Sequence, residues 1–183
     1  HARTEEKPNR AWVNVGIAGH RTFTPGKLLV AHTIRDEATG KCWFPPQLSR
    51  SADKAEVITV DRTETVFDSE AVYDMEASGF YPTASFFSTG ELVQCLKIVS
   101  DNRELKPSEL TRDRIRDIVS NQLGKIERLV RELETLAREK GSRSFEAEGL
   151  AAFSSKWRFS VTQRRRLERL LTRWKALAPE GTR

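Results

Sequence analysis

Methionine occurs once in this chain, cysteine and tyrosine twice each, and histidine three times. Two cysteines, Cys42 and Cys95, are too few for a disulfide framework and fit a reducing compartment. Cys95 lies inside the apolar stretch LVQCLKIV, where a small buried thiol is expected. His1, His20 and His32 are scattered without ligand-like spacing, so no metal site is expected. No apolar run approaches the roughly 20 residues a membrane-spanning helix needs, and the basic, polar start lacks the apolar middle of a signal peptide. A soluble, cytoplasmic protein with no membrane partner is therefore expected. Because the chain opens on His1 rather than methionine, an upstream segment is expected to be missing.

What is present suits a globular protein. The 183 residues, 38% of them hydrophobic, can supply one domain with a sizeable core, or a domain with a helical appendage. The net charge of +5 hides an asymmetry. Residues 1–102 carry 11 basic and 14 acidic side chains, whereas residues 103–183 carry 20 and 12. A basic half can mark a nucleic-acid or acidic-surface partner, but with Glu interleaved on helices a solvated face is the commoner outcome.

The front half reads as strands between turns. AWVNVGIAG ends at Gly16 and Gly19, where the backbone can turn or let a ligand approach. KLLVAHTI (27–34), AEVITV and ELVQCLKIV follow as three more strands, near-continuously apolar, the pattern of strands covered on both faces in an α/β core. Between the third and fourth, EASGFYPTASFF predicts a helix with Phe80, Ala84 and Phe87 on one side, which Pro82 would interrupt or kink outside the first turn. Residues 35–56 form an excursion whose Trp43-Phe44-Pro45-Pro46 lines a pocket or plugs the sheet edge. From Ser108 to Lys140, Ile115, Ile118, Val119, Leu123, Ile126, Leu129, Val130, Leu133 and Leu136 follow 3- and 4-residue steps that predict one long helix, stopped by Gly141. A helical segment near 145–157 and a second behind the capping box Ser160 to Gln163 make a terminal hairpin, with Gly141 to Ser144 as the linker.

Two acidic places carry the chemistry. Asp101 closes the fourth strand in Val99-Ser100-Asp101-Asn102. An acid at the carboxyl end of a buried strand sits where open α/β sheets bind ligands, although Ser-Asp-Asn is also ordinary turn chemistry. The single methionine stands in Asp74-Met75-Glu76, just before the helix start. Both acids can complement the positive helix N-terminus; alternatively Glu76 offers two acceptor oxygens to a vicinal diol such as that of ribose, with Met75 packing on the sugar.

Val15-Gly16-Ile17-Ala18-Gly19, the strand at 27–34, Tyr73-Asp74-Met75-Glu76-Ala77 and Val99-Ser100-Asp101 occur in that order, and together they resemble the nucleoside phosphorylase and nucleosidase superfamily over residues 12 to about 135. The resemblance implies a phosphorylase-like mixed sheet with flanking helices and cleavage of the N-glycosidic bond of a nucleoside, most readily a purine nucleoside. It implies that Asp101 protonates or hydrogen-bonds the departing base near N7, that Glu76 grips the ribose hydroxyls, that Met75 lies against the ribose, and that Ala18 and Gly19 border the catalytic end of the pocket. No cofactor is implied; inorganic phosphate is the co-substrate of a phosphorylase and water the nucleophile of a nucleosidase. The family's first strand and glycine-containing loop have no counterpart ahead of residue 12.

The expected organisation is an N-terminally incomplete phosphorylase-like α/β domain over 1–141 and a basic helical extension over 142–183. A homo-oligomer binding a small-molecule nucleoside is implied, with nucleic acid an unfavoured partner. The alternative is a non-catalytic nucleoside-binding module whose basic tail docks a protein or a nucleic acid.

Overall fold

The computed structural model describes residues 10–47, 52–142 and 148–177. The four apolar runs are strands: β1 (Trp12–His20), β2 (Leu28–Asp36), β4 (Asp53–Thr59) and β6 (Val93–Asp101). Two short strands join them, β3 (Cys42–Trp43) and β5 (Val72–Asp74). The sheet order is β3-β2-β4-β5-β1-β6, and β2 pairs with β6 as well, so the sheet curls until β6 meets β2 and β3 stays outside the closure as an edge. It is mixed: β1 runs parallel to β6, and β2 and β5 both run parallel to β4. β1 with β5 and β2 with β6 are antiparallel.

The near-continuous apolar pattern has its expected cause in β6, which is buried along its whole length. Successive side chains point to opposite faces. Val93, Cys95 and Val99 pack with Ala77, Tyr81 and Ala84 of α1 (Ala77–Phe87), whereas Leu96 and Ile98 pack with Leu129 of α3 (Leu123–Ser142). β1 departs from the pattern, because Trp12, Val15 and Ile17 are exposed and only its last three residues are buried. Trp43 pairs at the sheet edge and packs on the core, while Phe44 is exposed.

α1 runs through Pro82 without ending. Pro82 supplies no N–H for the carbonyl four residues back, and packing of the buried side offsets that loss. The buried side is Ala77, Tyr81 and Ala84; Phe80 is only partly buried and Phe87 is exposed, which corrects the expected face. The single long helix expected over 108–140 is two: α2 (Arg112–Ser120) and α3. At the break Gln122 N–H donates to the Val119 carbonyl, three residues back, tightening the turn. The apolar stripe nevertheless continues, with Ile118, Val119, Ile126 and Leu129 on one cluster. Thr111 rather than Ser108 caps α2, accepting from Arg114 N–H at 3.2 Å, and α3 continues past Gly141.

The chain divides into two compact units, 1–139 and 140–183. The second contains α4 (Glu148–Ser154) and α5 (Val161–Leu177), whose start is the expected reciprocal cap: Ser160 Oγ accepts from Gln163 N–H and Gln163 Oε1 from Ser160 N–H. Residues 145–147 of the expected helical segment and linker residues 143 and 144 lie outside the described residues. No helix among the described residues is long and apolar enough to cross a membrane.

Candidate active site

β1 and β6 run side by side until a bulge between Ala18 and Gly19 skips Ser100 and sets Gly19 opposite Asp101. A bulge at a strand end re-aims the side chains beyond it. Gly19 is required there: a methyl group on it would stand 2.8 Å from Asp101 Oδ2 and 2.6 Å from the Phe67 ring. Asp101 is 6% exposed. Ser100 Oγ donates to Asp101 Oδ1 and also approaches the Ala18 carbonyl at 3.4 Å. Burial pushes the Asp101 carboxyl above the ordinary carboxylate value, and the Ser100 hydrogen bond only partly opposes it.

The turn after β6 is made by the next residue. Asn102 Oδ1 accepts from Glu104 and Leu105 N–H at 2.9 Å each, and its Nδ2 donates to the Phe23 carbonyl. Turn chemistry at Ser-Asp-Asn therefore belongs to Asn102.

The acids of Asp74-Met75-Glu76 also separate. Asp74 is buried and serves the helix start: its Oδ2 accepts from Ala77 N–H at 2.9 Å and its Oδ1 from Thr59 Oγ1 at 2.7 Å, while Thr59 Oγ1 accepts from Ser78 N–H. Glu76 makes no capping bond. Its side chain is 66% exposed, and Lys97 Nζ lies 3.9 Å from Oε2. Met75 is exposed beside it.

The structure thus brings Gly19, Ala18 and Asp101 together at one end of β6, and places Glu76 and Met75 with Lys97 further back along it. Among the described residues no side-chain hydrogen bond or ion pair joins the two groups. Lys97 and Asp101 are four residues apart, about 13 Å of strand.

Three further residues shape the site. Lys97 is fully buried, and its ammonium lies 2.6 Å from Asp74 Oδ2, an ion pair by distance without hydrogen-bond alignment. A lysine inside LVQCLKIV was a usable signal, since a buried charge demands a partner. Phe67, at φ 54° and 1% exposed, walls the Asp101 end; Glu64 Oε1 accepts from three N–H groups of its loop, and Arg103 donates to the Val66 and Phe67 carbonyls. Nothing in the sequence marks a phenylalanine for positive φ. His20 accepts Thr22 and Phe23 N–H bonds at Nδ1, so Nε2 carries the proton and donates to the Glu70 carbonyl. Its ring stacks on Phe23 at 3.7 Å, and burial lowers its pKa.

An apolar cavity of about 360 Å³ lies between β2, β6 and α3, lined by Val30, Leu96, Leu129 and Leu133. Leu96 and Lys97 point to opposite faces of β6, so this cavity is separate from the acidic site. Among the described residues no group of three or more His, Cys, Asp or Glu is placed to hold a metal ion.

No known family's model matches the chain, and no curated protein matches it by sequence. Solved structures do. An MTAN from Chlamydia trachomatis superposes with a TM-score of 0.53 at 16% identity, over 66% of this chain and 64% of that one. An MTA/SAH nucleosidase matches at 14% identity and a TM-score of 0.45, over 68% of this chain and 61% of that one. Isoform 2 of uridine phosphorylase from Schistosoma mansoni matches at 15% and 0.40, over 70% and 58%. The chain spans less than two thirds of the length of these proteins. The mixed α/β fold implied by the resemblance is the fold observed, shared with the Chlamydia trachomatis MTAN.

Proposed function

We propose that this chain acts on a nucleoside, cleaving the bond between sugar and base, with a purine as the departing base. The observation that carries this reading is Asp101: a buried carboxyl with a raised pKa, at the carboxyl end of a strand, left out of the turn that follows it. A carboxyl tuned in that direction holds its proton closer to neutral pH and suits general-acid work.

In this mechanism the C1′–N bond breaks and its electron pair leaves with the base. Asp101 gives its proton to the base nitrogen, so the leaving group departs neutral. Glu76 accepts hydrogen bonds from the ribose hydroxyls, and its negative charge favours the cationic sugar of the transition state. Lys97, paired with Asp74, sets a positive charge 3.9 Å from the Glu76 carboxylate. Inorganic phosphate then adds at C1′ as an anion, giving a ribose 1-phosphate, or water adds and gives up a proton that restores the Asp101 carboxyl, giving ribose. A nucleoside laid along β6, base toward Gly19 and Asp101 and sugar toward Met75 and Glu76, bridges the two groups.

Base release from adenosine, inosine, guanosine, uridine and methylthioadenosine, with and without phosphate, tests the proposal. Release that disappears in Asp101→Asn supports it. Release from none of the substrates, or release indifferent to Asp101→Asn, overturns the catalytic reading. Calorimetric binding of nucleosides without turnover would establish a binding module instead.

A further inference from the structure

The second unit carries a surface that nucleoside chemistry does not use. α5 contains six basic residues against one acid, Glu168. At 100° per residue Leu167, Leu170, Leu171, Trp174 and Leu177 fall within an arc of about 120°, bordered by Arg166 on one margin and Arg164 on the other. Leu167 and Leu171 are partly buried, but Leu170, Trp174 and Leu177 are 55%, 60% and 83% exposed. The same unit exposes Phe153 and Trp157, whose rings stand 5.9 Å apart. A solvated helix face accounts for the arginines but not for an open Leu-Trp-Leu stripe between them.

We propose that α5 is an interfacial helix that lies on anionic lipid bilayers. The 17-residue helix is about 25 Å long and too charged to cross a membrane, so it lies in the plane of the surface. Leu170, Trp174 and Leu177 enter the boundary between headgroups and acyl chains, where an indole is favoured, while the flanking arginines meet lipid phosphates. Charge decides the occupant. A second copy seated on this stripe would set two strongly basic helices margin to margin. A nucleic acid would take the arginines and leave the apolar stripe in water. An anionic bilayer satisfies both features of the helix. One basic charge is already offset, because Arg164 Nε lies 3.3 Å from Glu168 Oε1. The expectation of no membrane partner rested on the absence of a spanning run, which a surface helix does not need.

Co-sedimentation of the full chain with phosphatidylcholine vesicles, with and without roughly 30% phosphatidylserine, tests this. Binding to the anionic vesicles at least about tenfold tighter than to phosphatidylcholine alone is expected, weakening as salt rises. A blue shift of tryptophan fluorescence on binding, reduced in Trp174→Phe, is expected with it. Leu170→Asp with Trp174→Asp, and separately Arg164→Gln with Arg166→Gln, should each reduce binding about tenfold or more. These side chains are exposed, so unchanged circular dichroism of the variants separates lost docking from lost folding. No binding to anionic vesicles overturns the proposal. So does equal binding to both vesicles, or binding to duplex DNA or RNA that survives Leu170→Asp with Trp174→Asp while vesicles are ignored.

Discussion

Lys97 reaches across a strand to Asp74. β1 lies between β6 and β5 in the sheet, yet the ammonium of Lys97 stands 2.6 Å from Asp74 Oδ2 with neither side chain exposed. Gly16, the register partner of Lys97 on β1, opens the way: a methyl group there would stand 3.0 Å from Nζ. The pair ties the start of α1, which Asp74 anchors, to the strand that carries Asp101.

Breaking that pair from one side leaves a buried charge. Lys97→Met is expected to destabilise the fold by about 3–5 kcal/mol in urea unfolding, and adding Asp74→Asn should recover part of the loss. Additive single effects in this double-mutant cycle would refute the coupling.

Gly19→Ala forces a methyl group against the Phe67 ring and Asp101 Oδ2. Overpacking of this kind costs about 1–3 kcal/mol. The variant should also lose base release beyond its loss of stability, because the acid is displaced; a stability loss with unchanged kcat would show that Asp101 stays in place.

Asp101→Asn is expected to lower kcat for base release by about 10²- to 10⁴-fold. Its effect on stability has the opposite sign. With the folded pKa raised, the favourable contribution of Asp101 is complete below pH 3.8 and is lost as pH rises through the folded value. The variant should therefore melt above the parent protein at pH 7, and the difference should vanish near pH 3, as followed by calorimetry across pH.

His20 predicts the reverse dependence. Its pKa lies below the usual 6.5, so the neutral ring is the folded form. Its contribution is present above pH 6.5 and is lost as pH falls through the folded pKa, because the unfolded chain takes the proton first. His20→Ala leaves the Thr22 and Phe23 N–H groups without their acceptor and should cost about 2–4 kcal/mol at pH 8, with a flatter pH profile below 6.5.

Glu76→Gln separates function from folding. The side chain is exposed and caps nothing, so stability should change by no more than about 0.5 kcal/mol. Nucleoside affinity and base release should both fall. A variant that binds and turns over as the parent does would remove Glu76 from the site.

Much of the fold was legible along the chain because its signals are local. The four long strands announce themselves through apolar runs, and the Ser160 to Gln163 cap is a contact between neighbours in sequence. The helix over 108–140 was legible as a stripe but not as two helices, since Ile118, Ile126 and Leu129 keep their period across a backbone break that periodicity does not register. Pro82 misled for a related reason: its effect is local, and the packing of Tyr81 and Ala84 that overrides it is not.

By itself the sequence determined which residues could do chemistry: an acid closing a buried strand, a Met-Glu pair before a helix, and a basic amphipathic tail. Only the tertiary structure decided how equivalent neighbours divide the work. Asp74 and Glu76 are two residues apart, yet one faces Thr59 and Lys97 in the interior and the other faces solvent; Asp101 and Asn102 are adjacent, yet one is buried beside Gly19 and the other folds the turn. The reason is that a carboxylate's role follows from its solvation and its partners, and here those partners lie on strands distant in the chain.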